Sequence, residues 1–235
     1  MPASTPSIPN AGGPLLSLQG VCKEYRNPYE TTPVFHDLDL DLQRGEITCL
    51  VGPSGCGKST IISLIAGLMV PDSGRVVFDG RDVAELSDTE RAHLRATRIG
   101  IVLQSGNLVP FLTAAENIAM ATRLAGGKSS PARVASLLDQ VGLADRADHL
   151  PRRLSGGEAQ RAALAVALAN TPDLLLADEA VGQLDSTTAR FVMDTFTQAC
   201  SERGLAVLLV THSREVAALG TRIASLSDGR LEMAA

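Results

Sequence analysis

Hydrophobic and polar positions alternate along two early stretches of the chain. Residues 34–42 alternate strictly, so that Leu38, Leu40 and Leu42 fall on one face and three aspartates fall on the other. Residues 15–25 show a weaker alternation of the same period. A period of two with one polar face is typical of antiparallel strands that are exposed on one side. The pattern therefore predicts an antiparallel β portion on the N-terminal side.

The pattern changes after residue 45. Residues 46–51 are apolar throughout, as expected for a strand buried in a parallel sheet. Further strands are predicted at 75–80, 99–104, 173–178 and 204–211, and helices from 57 and over 88–97, 156–170 and 186–203. A short helix and a hairpin are predicted to end the chain. Because helices and strands alternate, the predicted fold is α/β with a parallel-sheet core.

The middle of the chain has a different character. Thr113 and Glu116 have capping-box spacing and open a helix to about residue 124, while Pro131 starts a second, amphipathic helix over 131–141. We therefore predict a helical subdomain at about 105–150. Residues 1–14 contain no charged side chain and lack both the basic and the apolar segment of a signal peptide, so a disordered tail is expected there.

The most specific chemical signal is GPSGCGKST at 52–60, between a predicted strand and a predicted helix. A glycine-rich turn in that context directs backbone N–H groups and the positive helix end at one small volume, which suits a phosphate. The lysine can then reach the β- and γ-phosphates, and the serine hydroxyl can ligate magnesium. The alternative is an ordinary glycine-rich turn that binds nothing, but Lys followed by Ser has no packing purpose there. The predicted ATP contacts are Gly52, Pro53, Ser54, Gly55, Cys56, Gly57, Lys58, Ser59 and Thr60.

A second candidate is LLLADE at 174–179, an apolar strand that ends in two carboxylates. Ligands of parallel sheets gather at the carboxyl ends of the strands, so these carboxylates should lie beside the phosphate loop. Asp178 is predicted to hold magnesium, and Glu179 to orient and deprotonate an attacking water. The alternative, a solvated acidic turn, would be preferred only without the phosphate loop.

A third candidate is LSGGEAQR at 154–161. Ser155 and Glu158 have capping-box spacing, so a capped helix explains both. It does not explain Gly156 and Gly157, which destabilise a helix unless another group must approach the backbone closely. A bare helix N-terminus is an anion site. A second such site, far along the chain from the first, requires either two well-separated phosphate groups or a dimer.

The composition bears on which partners the protein can have and on its redox compartment. The net charge is −5, aromatic residues make up 3% and Trp is absent, so neither electrostatics nor base stacking supports a nucleic-acid partner. Four cysteines show no metal-ligand spacing and are expected to be free thiols in a reducing compartment. The uncharged run at 99–115 is interrupted by polar residues and Pro, so it is not a membrane span.

From about residue 15 onward, the chain resembles the ATP-binding-cassette (ABC) ATPases, because the three motifs follow one another as GPSGCGKST, LSGGEAQR and LLLADE. The resemblance implies a P-loop NTPase with a RecA-like core, ATP and Mg²⁺ as cofactors, and one ABC ATPase domain over 15–235. It also implies a head-to-tail dimer in which each ATP lies between the phosphate loop of one copy and residues 155–158 of the other. By position, Tyr25 resembles the aromatic residue that stacks on adenine, Gln104 the glutamine that senses magnesium and the γ-phosphate, Asp185 the aspartate that crosses the dimer, and His212 the histidine on the γ-phosphate.

Near Asp185 the chain departs from the family pattern in two places. Ala180 and Val181 stand where Pro-Thr is usual after the catalytic glutamate, and Gln183 replaces a commoner Asn or Ala. Neither departure removes a catalytic group, but both put the geometry near Asp185 in question.

Residues 98–118 resemble the subgroup that energises lipoprotein release and macrolide efflux. That resemblance implies an integral-membrane permease subunit as partner, a second copy of the chain or a homologous subunit, and a peripheral position on the cytoplasmic face of the cell membrane. Two alternatives stay open. One is a mechanical signalling ATPase of the cell-division type, and the other is a soluble ATPase acting on DNA or ribosomes. The cargo and its direction do not follow from the sequence.

Overall fold

The computed structural model describes residues 13–27, 29–181 and 186–233. The predicted tail at 1–14 lies almost wholly outside the described residues, as does Asp185. The strands are β1 (Leu16–Arg26), β2 (Thr31–Leu42), β3 (Ile47–Val51), β4 (Ser73–Phe78), β5 (Arg81–Asp82), β6 (Ile99–Val102), β7 (Leu174–Asp178), β8 (Ala206–Val210), β9 (Arg222–Ser227) and β10 (Arg230–Met233). The α-helices are α1 (Lys58–Ile65), α2 (Asp88–Arg98), α3 (Ala114–Leu124), α4 (Pro131–Gln140), α5 (Gly156–Ala167), α6 (Ser186–Arg203) and α7 (Arg214–Ala217).

The smaller sheet is antiparallel and has the order β2-β1-β4-β5. The strict alternation predicted over 34–42 is confirmed from Asp37 to Leu42, where the three leucines are buried and the aspartates exposed. The leucines therefore pack inward as one stripe, and the opposite face of the strand meets solvent. The alternation fails before that, because His36 and Asp37 are both exposed where the pairing with β1 shifts register and Asp37 has a positive φ of 57°. The two-residue strand β5 was not predicted, since so short a segment carries no periodic signal.

The larger sheet has the order β10-β9-β3-β8-β7-β6, and all its neighbouring pairs are parallel except β9 with β10. The predicted parallel core is confirmed. Side chains of β7 alternate between two hydrophobic clusters: Leu174 and Leu176 join the one that contains the antiparallel sheet, Leu175 and Ala177 the one that contains α3 to α6. The sheet is therefore buried on both faces, which explains its continuous apolar strands.

Three element ends were predicted at least two residues too far along the chain. Strand β4 ends at Phe78, because residues 79–80 form a turn, although the prediction extended it to residue 80. Strand β6 ends at Val102, so Gln104 lies in the loop beyond it rather than within a strand. Helix α5 ends at Ala167, because residues 168–170 form a turn, Thr171 has a positive φ of 48° and Pro172 lacks an N–H. The capping boxes predicted at Thr113 and Ser155 are formed, and so is one at Ser87, each with the glutamate three residues later.

A ring of ion pairs joins the two sheets at the edge where β3, β6 and β7 begin. Arg98 contacts Asp79 at 2.8 Å and Asp173 at 2.6 Å, and Arg44 contacts the same two aspartates at 2.9 and 3.5 Å. The guanidinium of Arg98 also lies 5.0 Å from the centre of the Phe78 ring. Asp79 belongs to the turn after β4, so this ion-pair ring ties the antiparallel sheet to the parallel one.

Candidate functional site

The phosphate loop follows β3 directly, and two of its glycines are required by close packing. A Cβ on Gly52 would lie 2.3 Å from the Leu226 carbonyl oxygen. Gly57 has a φ of 105°, and a Cβ there would lie 2.7 Å from atoms of Val34 and Phe35. Gly57 is also the N-cap residue of α1 and offers no side-chain acceptor. The first N–H groups of α1 therefore lack a side-chain cap.

Lys58 is 8% exposed, and its charge is satisfied by the loop itself. The ammonium donates to the carbonyl oxygens of Gly52 at 2.9 Å and Pro53 at 2.7 Å. It also lies 3.8 Å from the Cys56 sulfur. A lysine ammonium has three donors, so this side chain keeps the loop curled over the start of α1.

Ser59 and Asp178 meet at the carboxyl end of the parallel sheet. The Ser59 hydroxyl donates to Asp178 Oδ2 at 2.9 Å, although the residues are 119 positions apart. Asp178 is the last residue of β7, and Ser59 lies in the first turn of α1. A hydroxyl and a carboxylate in contact are the hard oxygen donors that Mg²⁺ prefers.

Glu179 and His212 extend from two neighbouring parallel strands. The Glu179 backbone N–H donates to the Val210 carbonyl at 3.0 Å, and Glu179 has a positive φ of 51°. Its carboxylate Oε2 lies 3.1 Å from His212 Nδ1. β7 and β8 end side by side, so the residues that follow them are brought together. Carboxylate and imidazole are the pair of groups that moves protons in many active sites.

The Ala180-Val181 departure has a packing explanation. Both side chains are buried, Val181 completely, and both belong to the hydrophobic cluster that contains α5 and α6. The apolar pair after Glu179 therefore anchors the chain in the core. Gln183 and Asp185 lie outside the described residues.

The segment Ser155–Glu158, hereafter the signature segment, forms the N-terminus of α5. The Ser155 hydroxyl accepts from the Glu158 N–H at 3.2 Å, and the Glu158 carboxylate accepts from the Ser155 N–H at 2.8 Å and from Arg146 at 2.9 Å. The Ser155 N–H, Arg146 and the Ser155 hydroxyl lower the pKa of Glu158 to about 2. A Cβ on Gly156 would meet none of the described atoms within 4 Å. Packing within the described chain therefore gives no reason for this glycine.

The phosphate loop lines a cavity of about 570 Å³ between the two sheets. Tyr25 is 49% exposed at one side of this cavity, and its hydroxyl lies 3.3 Å from the Thr60 hydroxyl. Residues that the sequence did not single out complete the lining: Thr32, Pro33, Val34 and His36 of β2, and Asp228 and Gly229 of the β9–β10 turn. The Asp-Gly pair signals a hairpin turn, but nothing in the sequence connects that turn with the phosphate loop.

The signature segment lines a different cavity, of about 380 Å³. It lies between the parallel sheet and the helices, and Gly156 and Gly157 share it with Gln104 and Glu179. Gln104 makes no side-chain hydrogen bond within the described part of the chain. The structure thus brings Gln104 to Glu179 but leaves the signature glycines out of the cavity that the phosphate loop lines.

Comparison with known proteins identifies the family. Residues 35–182 match the family model described as ABC transporter. The chain belongs to the ABC transporter family. It is accordingly an ATP-binding and ATP-hydrolysing cassette, and the predicted P-loop NTPase fold is confirmed. The lipoprotein-releasing system ATP-binding protein LolD 2 of Caulobacter vibrioides is 41% identical over 222 residues, which cover 94% of this chain and 97% of that protein.

Two other relatives extend the comparison. The macrolide export ATP-binding/permease protein MacB of Brucella melitensis is 40% identical over 94% of this cassette, which spans 34% of that longer protein. The solved dimer of the ATP-binding cassette MJ0796 in a post-hydrolysis state, bound to ADP and Pi, superimposes with a TM-score of 0.87 at 37% identity, over 92% of this chain and 96% of that one. Among the described helices of this cassette, none has the length and apolar character needed to cross a membrane.

Proposed function

We propose that this cassette is the ATPase subunit of a membrane export complex and that it drives a separate permease by closing as a dimer on ATP and Mg²⁺. The observation that carries the proposal is the group of contacts at the carboxyl edge of the sheet. There the Ser59–Asp178 pair, at 2.9 Å, and the Glu179–His212 pair, at 3.1 Å, adjoin the phosphate loop. Together they supply oxygen ligands for a cation, a base for water and an imidazole beside it.

Each residue then has a role. Lys58 exchanges its two carbonyl partners for the β- and γ-phosphates, and the uncapped start of α1 receives phosphate oxygens. Ser59 and Asp178, together with Gln104, would hold Mg²⁺, and the bound ion would neutralise charge on the phosphates. Glu179 accepts the proton of the attacking water, His212 positions the γ-phosphate, and Tyr25 stacks on the adenine.

The signature segment serves the nucleotide of a second copy. Gly156 has open space around it in the described chain, and the signature glycines lie outside the cavity of the phosphate loop, so this helix start is available to an incoming phosphate. The MJ0796 cassette, similar over 92% of this chain, is described as a dimer. In such a dimer each ATP touches the phosphate loop of one copy and Ser155 to Glu158 of the other, with Asp185 at the boundary.

The membrane partner is inferred from the relatives. LolD 2 is named as the ATP-binding protein of a lipoprotein-releasing system, and MacB joins a cassette and a permease in one chain. By analogy this cassette docks on an integral-membrane permease through the helical subdomain at about 105–150. It is then a peripheral protein of the cytoplasmic membrane face. Purification with the tagged cassette, followed by identification of a co-purifying permease, tests this part.

Mixing two inactive variants tests the shared site. Lys58→Ala removes a phosphate-loop contact, and Ser155→Arg blocks a signature segment. Each variant alone should release no phosphate from ATP. A mixed dimer keeps one site with both halves intact, so an equal mixture should recover up to about a quarter of the wild-type rate. If two folded variants mix and recover nothing, the shared site is contradicted. Wild type mixed with each variant provides the reference for exchange of subunits.

A further inference from the structure

Strand β1 extends to Arg26, beyond the point near Cys22 where its pairing with β4 ends. On that side β1 pairs with β4, and the last pair is Cys22 with Ser73, where β4 begins. Beyond Cys22, none of the described strands lies beside this edge of β1 to accept its hydrogen bonds. On the other side the pairing with β2 shifts register between Val21 and Glu24 and is regular again from Glu24 to Arg26. Sheet pairing therefore holds this end of β1 on one side only.

Asp72, the residue before β4, takes the place of the missing strand. Its backbone N–H donates to the Cys22 carbonyl at 3.0 Å, and its carboxylate accepts from the Glu24 N–H at 2.8 Å. The same carboxylate contacts the Lys23 ammonium at 3.2 Å. The Glu24 N–H, with the Lys23 ammonium, holds the pKa of Asp72 below its ordinary value although the group is largely exposed. One side chain thus binds two consecutive residues of β1.

Tyr25 follows Lys23 and Glu24, the two residues that Asp72 binds, and it is itself contacted from two directions. Its hydroxyl contacts Thr60 of α1 at 3.3 Å, and its backbone lies opposite Thr32 in β2. Asp72 sits at the end of the segment that leaves α1, so both Thr60 and Asp72 tie the ring to the unit that carries the phosphate loop. The position of the Tyr25 ring relative to Lys58 is therefore fixed by these contacts as well as by the antiparallel sheet.

We infer that Asp72 is a positioning residue for the nucleobase of ATP, acting through the backbone of β1 on Tyr25. The inference rests on the proposed stacking of Tyr25 on adenine. Loss of the carboxylate removes its contacts with Lys23 and Glu24 at the end of β1. The Tyr25 ring is then less ordered in the free protein, so ATP binding must bear the entropic cost of ordering it. The phosphate contacts and the hydrolytic groups lie elsewhere. The Michaelis constant for ATP should therefore rise about 3- to 10-fold in Asp72→Ala while kcat stays the same.

Three variants distinguish loss of the Asp72 side-chain contacts from general destabilisation of the fold. Asp72→Ala removes both side-chain bonds, whereas Asp72→Asn keeps an oxygen that can accept from the Glu24 N–H and should keep most of the affinity. Asp139→Ala, at an exposed position of α4, is the matched control and should change nothing. Inorganic tripolyphosphate, as a competitor without a base, should bind Asp72→Ala as well as wild type. Equal weakening for ATP and tripolyphosphate, or no change for either, would overturn the inference.

The absence of Trp from the chain allows a direct optical test. Tyr25→Trp places one indole at the proposed stacking position, and ATP should quench its fluorescence. Adding Asp72→Ala to this variant should shift the ATP titration to higher concentration by the same factor as in the kinetic test. In a Tyr25→Ala background, Asp72→Ala should have no further effect on ATP binding.

The outcomes also separate this inference from the proposed function. If the indole of the Tyr25→Trp variant is silent while ATP is still hydrolysed, base stacking is wrong and the inference falls with it, although the ATPase assignment stands. If that indole responds to ATP but Asp72→Ala leaves the titration unchanged, only the role of Asp72 is wrong.

Discussion

The phosphate-loop region and the signature segment each bring a helix N-terminus to a cavity, yet they differ in what surrounds them. At the phosphate loop the key polar side chains have partners in the same chain: Lys58 bonds two loop carbonyls, and Ser59 bonds Asp178. At the signature segment the capping box is closed, but the space around Gly156 in the described chain is open. The first region is assembled by the fold of one chain.

The difference teaches where each glycine gets its purpose. Gly52 and Gly57 are explained within the chain, because any side chain there would collide with Leu226 or Phe35. Gly156 meets no such neighbour among the described residues, which supports the proposed approach of a second copy's nucleotide. Gly55 of the phosphate loop also has open space beside it, but its positive φ of 80° explains that glycine within the chain.

The largest effect is expected from removing the group that activates water, which tests whether the two regions close around one nucleotide. Glu179→Gln should hydrolyse ATP about 100- to 10,000-fold more slowly, because an amide does not accept the proton of water. ATP binding should persist, since Lys58 and the start of α1 are untouched. On gel filtration the variant should then run as a dimer with ATP and magnesium and as a monomer without them. A variant that stays monomeric at saturating ATP would contradict closure around nucleotide.

Two single substitutions distinguish the regions by affinity. Lys58→Ala should weaken ATP binding to the monomer by about 10- to 100-fold, because a charge-assisted contact to phosphate is lost. Ser155→Arg should abolish hydrolysis and leave monomer binding close to wild type, because Ser155 serves the other copy. Equilibrium binding of a labelled ATP analogue at low protein concentration measures both. Equal losses of affinity would show that both regions act on the same chain's nucleotide.

The ion-pair ring lies away from both regions. A substitution there serves as a control that should change stability but not nucleotide affinity. Asp79→Asn should lower the free energy of unfolding by about 1–2 kcal/mol, since Asp79 is half-buried between Arg44 and Arg98. Nucleotide affinity of the folded protein should not change. Urea unfolding, with the exposed Asp139→Asn as control, checks this expectation.

The same ring predicts a pH dependence. Although burial acts to raise the pKa of Asp79, the hydrogen bonds and charges of Arg98 and Arg44 lower it below the ordinary carboxyl value. A carboxylate with a lowered folded-state pKa stabilises the fold fully above about pH 4, and that contribution is lost as the pH falls through the folded-state pKa. The stability difference between wild type and Asp79→Asn should therefore shrink from pH 7 to pH 3. A difference that stays constant with pH would contradict the ion-pair explanation.

The smallest expected effect is a change in labelling at the phosphate loop. Burial raises the pKa of both Cys49 and Cys200 to about 11, whereas Cys56 is partly exposed beside Lys58. A maleimide should therefore modify Cys56 faster than Cys49, and saturating ATP should slow that reaction severalfold. Mass spectrometry of labelled peptides measures both rates, with Cys56→Ser as the control. Labelling of Cys56 that ignores ATP would contradict closure of the loop around phosphate.

Local features of this protein followed from the sequence by itself. The alternation of β2, the capping boxes at Ser87, Thr113 and Ser155, and the glycine-rich loop before Lys58 each depend on residues a few positions apart. Steric limits and short-range hydrogen bonds act over that distance, so residue type and spacing are enough to predict them. The boundary errors at Gln104 and after Ala167 arose where a loop, and not a pattern, ends the element.

Contacts between distant segments were decided only by the tertiary structure. Ser59 meets Asp178 across 119 positions, Tyr25 meets Thr60 across 35, and Asp72 reaches Glu24 across 48. The same holds for the β9–β10 turn that lines the cavity of the phosphate loop and for the burial of Ala180 and Val181. Such contacts depend on strand order, on register and on where each strand stops, which are set by packing of the whole chain. The sequence therefore determined which groups are present and how each is held locally, and the packing of the two sheets decided which of them meet.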